Sequence, residues 1–308
     1  DALLAMLATP KAAFDNAHLS LQTSFIGLPF VFLSILLQSA LRGVGDAMTP
    51  LYSTILNVAL SIVLNPIFIV GMGPIPEMGI AGAAMAGNVA NFASFLFVIW
   101  RIYRLDLPIR LRGSEWALLR ADFAHLKPIL AIGLPMGLSM IIMSLSQLAM
   151  MGLINREGVD TVAAYGAINQ LWSYLQMPAF AVGSAVSAMA AQNIGAGRWD
   201  RIDRIMIAGC SVNIAMTALL AAAITLAARP LLGLFLPAGS IANDIGVHIN
   251  LMVGWTFIFM GVSMVVSSIV RANGAVLVPL LILIAGAVIV RLSIGFIGYP
   301  IYGADAIW

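Results

Sequence analysis

Eight long apolar stretches dominate this sequence of 308 residues. Each is about 20 residues or longer, the length that a helix needs to cross the roughly 30 Å hydrocarbon core of a bilayer. Hydrophobic residues make up 61% of the chain and charged residues 9%, against about 25% charged residues in a soluble domain. The sequence therefore predicts an all-α polytopic membrane protein. The predicted spans are 19–41, 50–71, 79–100, 128–154, 161–188, 205–228, 246–270 and 277–300.

The charged, cysteine and histidine residues exclude several other classes of protein. A net charge of +2 provides no basic stripe for a phosphate backbone, so no nucleic-acid partner is expected. The single cysteine, Cys210, rules out a disulfide framework and a thiolate metal cluster. The three histidines lie far apart in the sequence and form no motif. We therefore expect no catalytic residues, no bound metal and no cofactor.

Lysine and arginine are distributed unevenly between the two sets of loops. If the eight spans alternate in direction, one set of loops holds eleven of the fifteen Lys and Arg residues and the other set holds three. Basic residues accumulate in cytoplasmic loops. This asymmetry places the loops at 42–49, 101–127, 193–204 and 271–276 in the cytoplasm.

Two spans end in the same pattern, which indicates an internal repeat. The pattern R-x-x-G-x-x-x-x-P occurs 229 residues apart. In each copy the arginine anchors a helix end at the interface, the glycine permits the turn, and the proline opens the next helix. Repeats of this kind recur in transporters. The residues of the motif are Arg42, Gly45 and Pro50 in the first copy and Arg271, Gly274 and Pro279 in the second.

The repeat predicts how the chain is divided. Six spans separate the two copies, so a half has six spans and a whole protein twelve. We expect residues 1–104 to be the C-terminal part of an N-lobe with three spans. Residues 128–308 are then a C-lobe with five of its six spans. Residues 105–127 form a cytoplasmic linker, in which Trp116 and Leu119, with two more apolar residues, predict an amphipathic surface helix.

Further segments carry a family resemblance. The first corner is followed by Asn57-x3-Ser61-x3-Asn65-Pro66, and a second-half loop reads Ala-Gln-Asn-Ile-Gly-Ala-Gly over residues 191–197. Together with the Arg42 corner, these segments resemble the multidrug and toxic compound extrusion (MATE) family, from the end of its third span to its eleventh. The resemblance implies two six-helix lobes that face each other in a V, with the first three spans and the last one absent from this chain.

The resemblance also implies a function. Members of the family export amphipathic, often cationic compounds in exchange for H⁺ or Na⁺, so a small-molecule substrate and the lipid bilayer are the expected partners. We expect a monomer in the cell membrane, the inner membrane of a bacterium. One branch of the family couples to ions through an Asp in the first span, which would lie outside this chain. The eight spans here carry no central carboxylate.

Polar residues on one face of the second span are candidates to line a cavity. Asn57, Ser61 and Asn65 are four residues apart and share one helix face. They either form a polar wall of the cavity between the lobes or bond to neighbouring helices inside the lobe. In the family the last of these positions is often an Asp, whereas Asn65 cannot take up a proton.

Other candidates lie on three later spans. Met140, Met143 and Gln147 belong to a stripe of helical spacing, and flexible thioethers suit a surface that repacks around varied ligands. A lipid-facing or core stripe is the alternative. Asn169 lies on a further polar face, with Trp172 nearby. Arg291 lies about 14 residues into the last span, too deep to reach the cytoplasm easily. Arg291 either shapes the cavity, or pairs with a carboxylate in the spans absent from this chain, or makes a structural hydrogen bond to backbone carbonyls at a helix break near Gly286 or Gly295.

Two other functions compete with export. A flippase for lipid-linked oligosaccharide, from a related branch, would need several cations in the cavity to hold a diphosphate, and the spans contain Arg291 alone. A membrane-embedded enzyme would need a catalytic base at membrane depth, and the spans hold no central carboxylate or histidine.

Overall fold

The computed structural model describes residues 11–72, 76–113, 115, 122–237 and 239–308, and its regular elements there are helices. Most are as long as the apolar stretches predict. The α-helices are α1 Lys11–Gly43, α2 Met48–Val70, α3 Gly79–Arg104, α4 Phe123–Ile154, α5 Val159–Gly195, α6 Ile202–Leu226, α7 Ala228–Leu232, α8 Ile241–Val253, α9 Thr256–Ala272, α10 Leu277–Ile284 and α11 Arg291–Tyr302.

Helices occupy all eight of the predicted span positions. Six of these segments are long and apolar enough to cross a membrane, and the bent pair α8 and α9 makes a seventh. The remaining position is filled by α5, which has 37 residues but a more polar sequence. Its polarity follows from its place in the bundle, because α5 buries residues along its whole length against other helices and needs less lipid-facing surface.

The predicted span 246–270 is wrong as a single helix. The chain bends by 49° between α8 and α9, at Gly254 and Trp255. At the break, the Thr256 hydroxyl donates a hydrogen bond of 2.7 Å to the carbonyl of Val253. A side chain that bonds to a backbone carbonyl in this way is a known cause of a kink, and a glycine adds flexibility at the same point. The hydropathy pattern does not reveal such a local event.

The predicted span 277–300 is present as one continuous segment, with a local irregularity inside it. Between α10 and α11, residues Ala285–Val290 form a π-helix. The Ser146 hydroxyl of α4 donates a hydrogen bond of 2.7 Å to the Ala287 carbonyl in this segment. π-helical turns leave the regular ladder of backbone bonds, and they occur often at functional sites. The residue that follows this segment is Arg291.

The chain folds as two compact units, Asp1–Leu119 (unit 1) and Arg120–Trp308 (unit 2). In unit 1, α3 packs against both α1 and α2. One face of α3 carries small residues at intervals of four, and these are buried. Small side chains let helix backbones approach closely inside a membrane. The stripe consists of Gly82, Ala86, Ala90 and Ser94.

In unit 2, α5 is central and packs against α6, α8 and α9. One core cluster lies at the end of the bundle where α4 meets α5, and includes Ile168, Trp172 and Ile249. A second cluster lies nearer the other end of α5 and includes Val186 and Val265. The long helix thus connects both clusters and organises the unit.

The predicted boundaries of the lobes, at 104 and 128, stay predictions. Most of the expected linker helix, including Trp116 and Leu119, falls outside the described residues. Residues 105–113, which the structure does describe, form turns. The two remaining apolar residues of the predicted surface helix, Phe123 and Leu126, belong to the first turns of α4.

Candidate functional site

The first copy of the repeated motif forms a tight corner between α1 and α2. The Arg42 guanidinium donates a hydrogen bond of 3.2 Å to the Ser39 hydroxyl one turn earlier. The amide of Gly45 donates to the Arg42 carbonyl at 3.1 Å, and the amide of Asp46 donates to the Leu41 carbonyl at 2.9 Å. Gly45 has a φ of 94°, a left-handed conformation that favours glycine.

The second copy forms the same corner in unit 2. Arg271 donates a hydrogen bond of 3.4 Å to Ser268, again one turn earlier. The Gly274 amide donates to the Arg271 carbonyl at 2.9 Å, and the φ of Gly274 is 82°. The helix ends and the next helix begins at the same offset of 229 residues in both copies, and Pro50 and Pro279 lie in matching first turns. The predicted repeat is therefore present in the backbone geometry.

The two corners differ in one respect. In unit 1, Asp46 caps α2 by accepting hydrogen bonds from the amides of Met48 at 2.9 Å and Thr49 at 3.0 Å. The guanidinium of Arg101 donates to the Thr49 hydroxyl at 3.1 Å, and so connects α3 to the corner. In unit 2 the equivalent positions hold Ala275 and Val278, which cannot form these bonds. The first corner is therefore capped by a carboxylate and the second is not.

The environment of Asp46 sets its charge. Partial burial alone would raise its pKa, but the hydrogen bonds from the Thr49 hydroxyl and the two backbone amides, with the charge of Arg101, outweigh burial. The pKa of Asp46 therefore lies below its ordinary value. The carboxylate stays ionised at neutral pH and acts as a fixed negative cap at the start of α2.

The three polar candidates on α2 are half-buried. Asn57 donates a hydrogen bond of 3.2 Å to the Asn91 side chain on α3. Asn65 donates at 2.7 Å to the Ser61 carbonyl of its own helix. Asn88 of α3 also bonds across the unit, to the backbone carbonyl of Thr23 on α1. These contacts show helix-to-helix bonding inside unit 1, and the partial exposure of Asn57, Ser61 and Asn65 leaves a role in cavity lining as a prediction.

The methionine stripe on α4 divides into two parts. Met150 is 1% exposed and packs in the core of unit 2, as the core alternative predicted. Met140 is 73% exposed, Met143 is half-buried and Gln147 is exposed. The exposed part of the stripe lies on the surface of the unit, where either lipid or a ligand could contact it. Ligand contact at Met140, Met143 and Gln147 stays a prediction.

The polar face of α5 also divides. Asn169 is exposed, as a residue available to a cavity would be. Trp172, expected beside it as a stacking surface, is instead buried in the core. Its indole nitrogen donates a hydrogen bond of 3.3 Å to the Asn250 side chain, which in turn donates to the Thr225 hydroxyl at 3.2 Å. This buried polar chain connects α5, α8 and α6.

Arg291 is half-buried at the start of α11. Its charge acts on the hydroxyl of Tyr165 on α5. If Arg291 has a structural role, we expect an irregularity in the helix near it. Residues 285–290 form such an irregularity, a π-helix. The observed partner, however, is a side chain on another helix.

Sequence reasoning missed the buried Asn250 and the contacts at one end of unit 2. Tyr299 donates a hydrogen bond of 2.6 Å to the Glu157 carboxylate, and His248 lies 3.0 Å from Asp305. These pairs join residues that are 142 and 57 positions apart. They lie at the end of unit 2 opposite the Arg271 corner, which is the end that the charge asymmetry predicts to be outside. No local sequence signal predicts such distant pairs.

The described part of the chain contains no group of three or more His, Cys, Asp or Glu residues that could hold a metal ion. Within each unit, the polar residues of the spans are mainly amides and hydroxyls. Such groups can bind ligands and connect helices. A role of these residues in ligand binding stays a prediction.

Comparisons with known proteins agree with the repeat and the fold. The MatE family profile matches residues 1–67 and 135–297. The chain is 32% identical over 295 residues to the probable multidrug resistance protein YoeA of Bacillus subtilis, covering 96% of this chain and 64% of YoeA. It is 31% identical over 280 residues to the probable multidrug resistance protein YpnP of the same organism, covering 89% of this chain and 60% of YpnP.

A solved structure has the same fold. The outward-facing conformation of a multidrug resistance MATE family transporter of the MOP superfamily matches with a TM-score of 0.88 at 21% identity, covering 100% of this chain and 68% of that chain. This chain thus spans 60 to 64% of the length of the two Bacillus relatives. The predicted family and the predicted all-α membrane fold are both confirmed. The chain is a multi-pass membrane protein that belongs to the MatE family.

Proposed function

We propose that the protein is a secondary active transporter that exports amphipathic organic compounds in exchange for H⁺ or Na⁺. The observation that carries this proposal is the repeated corner, which recurs with the same hydrogen bonds and the same helix boundaries in two separate units. Repeated helical units are a general feature of secondary transporters, in which one unit moves relative to the other and a central site opens to each side in turn. An enzyme would not need this duplication.

The names of the relatives support export as the direction of transport and drugs as the class of substrate. YoeA and YpnP are both called probable multidrug resistance proteins. Resistance requires removal of a compound from the cell, and many drugs are amphipathic. The exposed Met140, the half-buried Met143 and the exposed Asn169 would suit varied ligands of this kind, because thioethers adapt in shape and an amide can donate or accept.

We propose that the protein works in the cell membrane, the inner membrane in a bacterium, and that a monomer is sufficient. We expect the exported compounds to be cationic and the site to contain Asn57, Ser61, Asn65, Gln147 and Arg291. Each of these side chains is at least partly exposed on its own unit. The proposal does not assign a catalytic residue, a metal or a cofactor.

Transport can be tested in everted membrane vesicles from cells that express the native gene. Vesicles are loaded with an amphipathic cationic dye through an imposed pH gradient or Na⁺ gradient, and dye uptake is followed by fluorescence. We expect gradient-dependent uptake that stops when the gradient of the coupling ion is collapsed and persists when the other gradient is collapsed. Vesicles from cells without the gene serve as the control. Uptake that survives the loss of both gradients would contradict secondary transport.

The flippase remains the second hypothesis for the test to exclude. A diphosphate carrier needs several cations at membrane depth, and Arg291 is the one such cation in the described spans. If the vesicles take up no dye but move a lipid-linked oligosaccharide between leaflets, the export proposal fails and the flippase replaces it.

A further inference from the structure

Arg291 is a positive charge in the middle of a spanning segment. The segment Leu277–Ala306 is long and apolar enough to cross a membrane, and Arg291 follows its first 14 residues. At 1.5 Å per residue this is about 20 Å from the start of the segment at Leu277. A charge at such a depth is costly, by about 2.5–3.5 kcal/mol on insertion scales. Such a residue needs either water or a counter-charge.

The described contacts give Arg291 a neutral partner. Its charge acts on the hydroxyl of nearby Tyr165, and no described carboxylate forms an ion pair with it. The carboxylate bonded to Tyr299, that of Glu157, belongs to the loop at the end of the span. Arg291 is also half-buried rather than buried, so part of the residue is open to its surroundings. With five N–H donors, it can bond to Tyr165 and still bind an oxyanion.

The surroundings of Arg291 hold it in place. The π-helix Ala285–Val290 precedes it, and the Ser146 hydroxyl fixes the Ala287 carbonyl of that segment at 2.7 Å. One turn after Arg291, Gly295 allows close packing on α4, since a Cβ there would lie 2.9 Å from the Met150 side chain. The start of α11 is therefore anchored to α4 on both sides of the arginine.

Aromatic rings lie next to the guanidinium. Tyr165 stacks on Trp308 with ring centroids 5.7 Å apart, and meets Trp172 edge-on at 6.3 Å. Trp172 packs in turn against Phe257 at 5.4 Å. Tyr165, Trp172 and Phe257 are buried in the core of unit 2, so these rings hold Tyr165 in place and do not themselves line an open surface.

We propose that Arg291 binds the carboxylate of a transported compound, so that the protein prefers amphipathic compounds with a free carboxyl group over their esters. This proposal rests on the proposed export function and names a substrate class within it. It is compatible with a cationic compound, because one molecule can carry both charges. Arg binds carboxylates through two parallel hydrogen bonds, which a neutral ester cannot accept with the same strength.

The test uses two dyes that differ at one group. Rhodamine 110 has a free carboxyl group, and rhodamine 123 is its methyl ester. Binding of each dye to the native protein, purified in lipid nanodiscs, is measured by fluorescence polarisation. A charged hydrogen-bonded contact is worth enough to change affinity by about tenfold to a hundredfold. We expect the native protein to bind rhodamine 110 at least tenfold more tightly than rhodamine 123.

Two variants and a control locate the preference. Arg291→Gln should weaken binding of rhodamine 110 until the two dyes bind equally, with little change for rhodamine 123. Arg291→Lys should keep part of the preference, because it retains the charge but loses the paired geometry. Arg201→Gln, which removes an exposed arginine at the opposite end of unit 2, should leave the ratio of affinities unchanged.

The outcomes separate this proposal from the export function. Equal binding of both dyes by the native protein overturns the proposal that Arg291 binds a carboxylate, and this result does not depend on whether the variants fold. If vesicles still take up dye, the proposed export function is retained. A preference that survives Arg291→Gln also overturns it, since another group must then bind the carboxylate. Failure to bind either dye, together with no uptake by vesicles, overturns both proposals.

Discussion

The close approach of α3 to the end of α2 yields a sharp prediction about stability. At Gly82 a Cβ would lie 2.2 Å from the Phe68 carbonyl oxygen and 2.6 Å from its carbonyl carbon. These are backbone atoms, so rotation of a side chain cannot relieve the contact. The same carbonyl accepts a hydrogen bond of 3.2 Å from the Met78 amide. Gly82→Ala must therefore push α3 away from α2 by about 1 Å, given ordinary contacts of about 3.5 Å or slightly less.

The size of the effect follows from two terms. Inserting a methyl group into a packed contact typically costs about 1–3 kcal/mol. Weakening the bond between Met78 and Phe68 adds about 1 kcal/mol. We expect Gly82→Ala to lower stability by about 2–4 kcal/mol. For a chain of this size this corresponds to a fall of about 6–12 °C in the unfolding midpoint, at about 3 °C per kcal/mol.

The same helix provides a matched control at Gly87. A Cβ there meets no other atom within 4 Å. Gly87→Ala makes the same chemical change in α3 without the clash, and replacing a helical glycine by alanine stabilises by up to about 1 kcal/mol. Its midpoint should stay equal to that of the native protein or rise.

The assay is the fraction of detergent-solubilised protein that remains monodisperse in size-exclusion chromatography after heating. A shift of the same size for Gly82→Ala and Gly87→Ala would refute the reasoning. It would show that α3 does not contact the end of α2 as closely as the structure describes.

Two further predictions concern polar contacts and use the same assay. Asp46→Ala removes the cap of α2 and should lower stability by about 1 kcal/mol at pH 7. Folding lowers the pKa of Asp46, so this carboxylate stabilises the fold fully at pH values above its ordinary pKa near 4. The stabilisation is lost as the pH falls through the lower pKa of the folded state, so the unfolding midpoints of Asp46→Ala and the native protein should converge in acid. A constant difference between the two midpoints at all pH values would contradict this. Asn250→Leu should cost about 1–3 kcal/mol, because it leaves the Trp172 indole nitrogen without its acceptor, and an unchanged midpoint would contradict the described chain of bonds.

Much of the architecture could be predicted from sequence because bilayer physics acts on long stretches. A spanning helix must satisfy its own backbone and present apolar side chains, so the apolar stretches located eight helical segments. Six of these, or seven with the bent pair, are long and apolar enough to cross a membrane. The repeated corner could be predicted for a different reason. A left-handed glycine and a proline in a first helical turn have few substitutes, and Gly45 and Gly274 retain matching φ values.

The missed features arise from contacts that have no local signature. The bend at Gly254 depends on Thr256, which bonds to a carbonyl three residues earlier. The π-helix before Arg291 is accompanied by a bond from Ser146, which is 141 residues away from Ala287. Periodicity reports which face of a helix is apolar, but it does not report which neighbour a polar group finds.

Trp172 and Arg291 show how the same reasoning leads to different results at two positions. Both are large polar-tipped residues at membrane depth, and both were expected near a binding surface. Trp172 finds an acceptor in Asn250, which is 0% exposed, and so its polar atom is satisfied inside the core. Arg291 finds only the neutral Tyr165 among the described residues and remains partly open. A buried donor with a hydrogen-bond partner has a structural role. A charge at membrane depth without a described countercharge can instead gain binding energy from an oppositely charged substrate.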